Sequence, residues 1–415
     1  MDPAAAAAAL FRSTFAAEPA AVAVAPGRVN LIGEHTDYNG LPVLPFAIGQ
    51  STAVAVAPSE APLLEAVSRE FPVPARLPLD AGPAACAEPW HRYLAAAAAV
   101  LGPRLPGRGA RIAVASDLPA ASGLSSSSAL TVALLLALDA AFGLGLGRAE
   151  LAGLAAQAER LAGAETGGMD QQVIAFAEAG ALLRIDFLPP AMRAVPVPAG
   201  WAFVVASSGQ PAPKGGGARD AYNERVVATR IAAALLADML GAEIEGTPLL
   251  GHVAAIDAAP VLVDELPARS SARKAAATAG VPLERLVTLA AGTFDPDAQL
   301  PVRGYARHVL AEAERVDLAC AAVEAGDLAA LGELMAASHA SLRDDYRCST
   351  PALDALVKAM TKAGAAGARL TGAGFGGFAI AVCERGREQA VIDAAVAAAG
   401  GPAFEVAPSA GARLA

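Results

Sequence analysis

The sequence predicts an α+β fold organised as two domains in one chain. Three observations carry this. At 415 residues the chain exceeds what one compact core usually serves. Apolar runs of strand length alternate with longer helical patterns. A proline-rich stretch without helical period, "LLRIDFLPPAMRAVPVPAG" (Leu182 to Gly200), interrupts that alternation. It is the expected crossing between residues 1–195 and residues 196–415.

The elements follow in order. "MDPAAAAAALF" reads as a helix start: Asp2 precedes the apolar patch and no basic region does, so no signal peptide is expected. "AVAVAPG" (Ala21 to Gly27) and "QSTAVAVAP" (Gln50 to Pro58) read as strands with a polar loop between them. "RIAVAS" (Arg111 to Ser116) is a buried strand. It leads through "DLPAASGLSSSS" into a helix from about Ser127 to Phe142. Glu150 to Ala162 is a second helix, followed by "TGGMDQQ" (Thr166 to Gln172). Beyond the crossing, "WAFVVASSG" (Trp201 to Gly209) is a strand and "PKGGGARD" (Pro213 to Asp220) a flexible loop. Helical patterns then run to about Met360, and "ARLTGAGFGGFAIAVCE" (Ala368 to Glu384) reads as strand, glycine loop, strand.

Composition excludes several classes. Hydrophobic residues make up 55% and charged ones 17%, the opposite of a disordered chain. A net charge of −10, from 31 Lys+Arg against 41 Asp+Glu, argues against a nucleic-acid partner. Cys86, Cys320, Cys348 and Cys383 form no CxxC pair, so reduced thiols in a cytoplasmic protein are expected rather than disulfides or zinc. The most apolar run, Ala129 to Leu144, is too short to span a bilayer and contains Asp139.

Four motifs hold the chemistry. "SGLSSSSAL" (Ser122 to Leu130) lies between a strand and a helix, where backbone N–H groups and the helix dipole can cradle phosphate. A serine-rich helix cap is the plainer alternative. No GxxxxGK[ST] occurs, so a Walker-type loop is excluded. "GAGFGG" (Gly372 to Gly377) matches GxGxxG but runs into a strand, so its glycines are expected to permit close backbone approach rather than to bind a dinucleotide. Asp170 in "GGMDQQ" is either a turn former or a group that orients or deprotonates an attacking hydroxyl. "APGRVNLIGEHTDYNG" (Ala25 to Gly40) packs Arg28, Asn30, Glu34, His35, Asp37, Tyr38 and Asn39 into sixteen residues. Such alternating donors and acceptors suit a polyhydroxylated ligand.

Together these segments resemble the galactokinase family, among the small-molecule kinases that include homoserine, mevalonate and phosphomevalonate kinases. "GRVNLIGEHTDY" is similar to the family's sugar signature, "GLSSSSAL" to its phosphate loop and "LTGAGFGG" to its third motif. "GGMDQ", "AYNER" (Ala221 to Arg225) and "HASLRDDYRCSTPALDALV" (His339 to Val357) complete an ordered match from about Leu10 to Val382. The resemblance implies an N-terminal domain like the second domain of ribosomal protein S5 and a ferredoxin-like C-terminal domain, with the active site between them. It implies ATP-dependent phosphorylation of the C1 hydroxyl of α-D-galactose by a cytoplasmic monomer using Mg²⁺. Asp170 is then the base facing that hydroxyl, with Arg28 beside it to stabilise developing charge. Glu34, His35, Asp37, Gly167 and Tyr222 contact the sugar, Asp37 setting epimer choice. Gly123, Leu124, Ser125, Ser126, Ser127 and Ser128 wrap the phosphates. Ser127 contacts the metal, and Glu159 is the family acid beside it.

The chain departs from the family at Thr131, where many bacterial members carry Glu, and at Phe378, where Cys is frequent. Two alternatives accompany the resemblance. One is an N-acetylgalactosamine kinase, which would differ around the 2-substituent. The other is an inactive sugar and nucleotide sensor, which the intact serine loop, Arg28 and Asp170 argue against.

Overall fold

The computed structural model of the chain describes residues 2–105, 107–119, 123–164, 166–210, 217–256, 258–289 and 294–415. It opens with helix α1 (Pro3–Phe15), whose first N–H groups, on Ala4 and Ala5, donate to the Asp2 carboxylate. Strands β1 (Ala21–Asn30), β2 (Pro45–Ser59), β3 (Leu63–Ser68), β4 (Ala75–Pro78) and β5 (Gly109–Ser116) follow, with α2 (Pro89–Leu101) between β4 and β5. Next come α3 (Ser126–Phe142), α4 (Arg148–Leu161) and α5 (Met169–Phe176), then β6 (Ala181–Phe187), β7 (Pro190–Pro196) and β8 (Trp201–Ser207). A helical stretch holds α6 (Gly217–Leu240), α7 (Gly251–Ala254), α8 (Ala259–Leu262), α9 (Ala272–Ala279), α10 (Leu283–Val287), α11 (Val302–Ala325), α12 (Leu328–Asp344) and α13 (Pro351–Lys362). Among its described residues the only strands are the two-residue β9 (Arg269–Ser270) and β10 (Leu300–Pro301). Strands β11 (Gly367–Thr371) and β12 (Phe378–Glu384), helix α14 (Glu388–Ala399), and strands β13 (Ala403–Val406) and β14 (Arg413–Leu414) close the chain.

The α+β expectation holds. One sheet runs β14-β1-β2-β5-β3-β4, antiparallel except for β3 beside β5; the other is antiparallel, β11-β12-β8-β13. The side chains of the first sheet explain its two helical layers. Ala23, Ala25, Val54, Val56, Ile112 and Val114 face the main core with α3. The alternate residues Val24, Ala53, Ala55, Ala113 and Ala115 meet Ala6, Ala7 and Phe11 of α1. A period of two thus separates a mainly bulky face from a mainly alanine face.

The second sheet divides likewise. Phe203, Val205, Phe378 and Ile380 belong to the main core, and Val204, Ala206, Ala379 and Ala381 to a second core under the helices. The rings of Phe46 and Phe203, 5.0 Å apart, join the two sheets within that shared core.

The proline-rich stretch is not simply a crossing. Residues 181–196 form the β6–β7 hairpin, in register from Ala181↔Pro196 to Phe187↔Pro190. Its prolines sit at the turn and at strand ends, where a missing N–H costs no ladder bond. Only the residues between Pro196 and Trp201 cross to the second sheet. The last strand, β14, returns to pair with β1. The first half of "PKGGGARD", Pro213 to Gly216, lies outside the described residues, and Gly217 to Asp220 open α6 where a flexible loop was expected. Among the described residues no helix is long and apolar enough to cross a membrane, and all four cysteines are free and buried.

Candidate active site

Arg28 lies just past a register irregularity in β1. A Cβ on neighbouring Gly27 would come within 2.9 Å of the Leu124 carbonyl, so glycine there lets β1 press against the serine loop. The Arg28 N–H donates to that same carbonyl at 3.2 Å. The guanidinium then forks. Nε donates to Asp170 Oδ1 at 2.6 Å and Nη2 to Oδ2 at 2.7 Å, while Nη1 donates to the Gly123 carbonyl at 2.8 Å. Three sequence motifs meet in this one side chain, and the bidentate pair is of the strong, charge-assisted kind.

Asp170 occupies the first turn of α5, where the helix dipole favours an anion. Gly167, ahead of that helix, has no room for a side chain: a Cβ would stand 2.4 Å from both Asp37 Oδ2 and the Tyr38 nitrogen. Two carboxylates thereby share one helix N-terminus. Burial, and then the charge of Asp170, push the Asp37 carboxyl up to about 6, against the N–H groups of Tyr38 and Met169.

His35 stands at φ 67, an uncommon backbone for a non-glycine residue. Its Nδ1 lies 2.9 Å from the Tyr38 hydroxyl, which is 2.6 Å from that of Tyr346. The His35 ring packs against Tyr346, Tyr38 and Tyr222 with centroids 4.5, 5.9 and 6.0 Å away. Burial, and then His308 and Arg225, hold its pKa well below the ordinary 6.5, so the ring is neutral. Its Nε2 is buried without a hydrogen-bond partner among the described residues.

Glu34 is placed differently from its neighbours. Its Oε1 accepts from Gly372 N at 2.9 Å and Thr371 Oγ1 at 3.4 Å, and its Oε2 from Asn30 Nδ2 at 3.0 Å and from Arg369 Nη1. Arg369 is fully buried, with its Nη2 3.8 Å from Glu312. Glu312 in turn accepts from Gly33 N, Ser338 Oγ and Arg315 Nη1. This network fastens the polar loop to β11, α11 and α12.

The serine loop turns through left-handed Gly123 (φ 75) and Ser125 (φ 59) into α3. Ser126 and Ser127 are half-buried, and Ser128 is buried. The glycine loop between β11 and β12 lies against it, with a Cβ on Gly372 projected 3.7 Å from the Gly123 carbonyl. Close approach is the use of these glycines, as expected: a Cβ on Gly374 would reach within 2.4 Å of the Cys348 carbonyl.

Beneath the loop, Gln171 Nε2 donates to Glu159 at 2.7 Å and lies 3.5 Å from Ser128 Oγ. Thr131 is fully buried and donates to the Ser127 carbonyl at 2.9 Å. No carboxylate stands at that position. Among the described residues no three His, Cys, Asp or Glu side chains gather as a metal cage.

Sequence reading did not single out Arg369, Glu312 or Tyr346. Arg369 and Tyr346 lie within quoted segments, and the local signal for Arg369 is a lone arginine in the strand that enters the glycine loop.

Comparison with known proteins agrees with this geometry. Residues 9–58 match the galactokinase galactose-binding signature, 92–178 the N-terminal domain of GHMP kinases and 319–400 their C-terminal domain. The galactokinase of Streptomyces coelicolor is 37% identical, over 97% of this chain and 96% of its own. That of Chloroflexus aurantiacus is 37% identical over 94% and 90%. The crystal structure of Lactococcus lactis galactokinase complexed with galactose superposes with a TM-score of 0.78 at 29% identity, covering 99% of both chains. Methanococcus jannaschii mevalonate kinase, at 18% identity and a TM-score of 0.61, shares the fold over 93% of this chain and 98% of its own. The chain belongs to the galactokinase family of the GHMP kinases.

Proposed function

We infer that this protein transfers the γ-phosphoryl group of ATP to the C1 hydroxyl of α-D-galactose. The observation that carries the reading is the Arg28 fork, which binds the Asp170 carboxylate and the serine loop with one guanidinium. Phosphoryl transfer through a loose transition state depends mainly on positioning and charge stabilisation. Asp170 receives the C1 hydroxyl, and Arg28 fixes the carboxylate plane while offsetting charge that develops on the transferred group. Gly123 to Ser128 wrap the phosphates with backbone N–H groups at the start of α3.

Asp37, His35, Gly167 and Tyr222 line the sugar, the unpartnered His35 Nε2 being a donor or acceptor for a hydroxyl. Glu34 lies beside them, with both its oxygens already engaged by the protein. The absence of a carboxylate cage among the described residues fits Mg²⁺, which keeps waters and phosphate oxygens and needs few protein ligands. Ser127 and Glu159 would hold it, and it would supply charge neutralisation at the phosphates. The working division into domains falls near residue 196, with the site between them. The four free, buried cysteines support a reducing, cytoplasmic setting.

The test is ADP release with galactose, N-acetylgalactosamine, glucose, arabinose and glucuronate. Turnover with galactose is expected; turnover confined to another sugar would overturn the substrate, and tight galactose binding without turnover would point to a sensor. Gly167→Ala is expected to raise the KM for galactose about thirtyfold, the mid-range of overpacking costs near 1–3 kcal/mol. Binding of an ATP analogue should be unchanged. Equal losses for both ligands would remove Gly167 from the sugar side.

A further inference from the structure

We propose that the Ser125 hydroxyl positions the Asp170 carboxylate rather than binding phosphate, an inference that rests on the functional reading above. The Ser125 hydroxyl donates to Asp170 Oδ2, the oxygen that also accepts from Arg28 Nη2.

Three features mark the placement of Ser125. It occupies the N-cap of α3, where a serine oxygen ordinarily accepts from the first-turn N–H groups, yet its side chain makes no capping bond. Its backbone is left-handed, at φ 59 and ψ 41, a conformation non-glycine residues hold only where the surroundings impose it. It is 6% exposed, while Ser126 and Ser127 are only half-buried. The hydroxyl is turned away from the helix end and inward to the carboxylate.

The consequence is a carboxylate gripped by three donors on its two oxygens, with free acceptor capacity left mainly on Oδ1. Arg28 holds the same loop through the Gly123 carbonyl. The serine loop therefore aims the base as well as cradling phosphate, and the two tasks fall to different residues of one motif.

The experiment is steady-state kinetics with galactose and ATP for Ser125→Gly and Ser125→Ala, each in wild-type and Asp170→Asn backgrounds. Glycine tolerates the left-handed backbone, so Ser125→Gly removes the hydroxyl without adding strain. In the wild-type background kcat is expected to fall about tenfold to a hundredfold, the scale of a hydrogen bond to a charged group. The KM for ATP should stay within about twofold. In the Asp170→Asn background the same change should add almost nothing, because residues acting through one contact are non-additive.

A raised KM for ATP at unchanged kcat, or effects that multiply in the double variant, would overturn the proposal. So would loss in Ser125→Ala alone, which would make backbone strain the cause. Wild-type protein without turnover would instead sink the functional reading, whereas active wild type matched by Ser125→Gly sinks this proposal only.

Discussion

Asp170→Asn lowers kcat by roughly 10²-fold or more, the scale of an essential acid–base group, with galactose binding near that of the wild type. The amide keeps one oxygen for the Arg28 fork but presents an NH₂ where Nη2 and the Ser125 hydroxyl both donate. Two consequences combine. The amide oxygen that remains is too weakly basic to receive the C1 proton, and Arg28 loses its counter-charge while only 8% exposed. Sugar affinity is spared because His35, Asp37 and Tyr222 are untouched. Initial rates together with calorimetric galactose titration check this. A fall in kcat of less than tenfold would remove Asp170 from the chemistry.

Arg369→Met reduces the unfolding free energy by about 3–5 kcal/mol, the cost of leaving a buried charge without its partner. The effect falls on Glu34 more than on Glu312. Burial raises the Glu312 carboxyl, yet Arg369, His308 and Arg315 together bring it down to about 2, and Arg315 and Ser338 remain in the variant. Among the described residues, Arg369 is the only cation paired with Glu34. Burial already pushes its carboxyl from 4.5 up to about 7, against the opposing charge of Arg369.

A value raised in the folded chain means that protonation favours folding. The Glu34 contribution is complete below 4.5 and is lost as pH climbs through about 7. Without Arg369 the carboxyl rises further, so the deficit of the variant is smaller at pH 6 than at pH 8. Denaturant unfolding at both values reads it. A deficit below about 1 kcal/mol, within the range of exposed pairs, would mean that the network is not a buried one.

Much of the site was legible because its residues sit in short polar stretches of an apolar chain. Arg28, Glu34, His35 and Asp37 stand out in sixteen residues. The serine loop announces itself by its place between β5 and α3, and the glycine loop by the strand that follows it. The pairing of Arg28 with Asp170 was legible only through the family resemblance, and that of Glu34 with Arg369 not at all. Nothing local ties Arg28 to Asp170, 142 residues on, or Glu34 to Arg369; such contacts are set by how the sheets stack. The β6–β7 hairpin was hidden by its prolines, which argue against a strand unless they fall at its ends, as they do here. Strands β3 and β4 were missed because they are short and partly exposed, so their alternation is weak.

The abundance of alanine, which looks like compositional drift, has a mechanical reading in the first sheet. Its alanine face sets the distance at which α1 can lie, while the face of Val and Ile fills the deeper space against α3. The two sides of one sheet are therefore vulnerable in opposite ways. One fails by crowding when a residue grows, and the other by hollowing when a residue shrinks. Because β1 carries Arg28, either failure would be transmitted to the aim of the guanidinium at the reacting carboxylate.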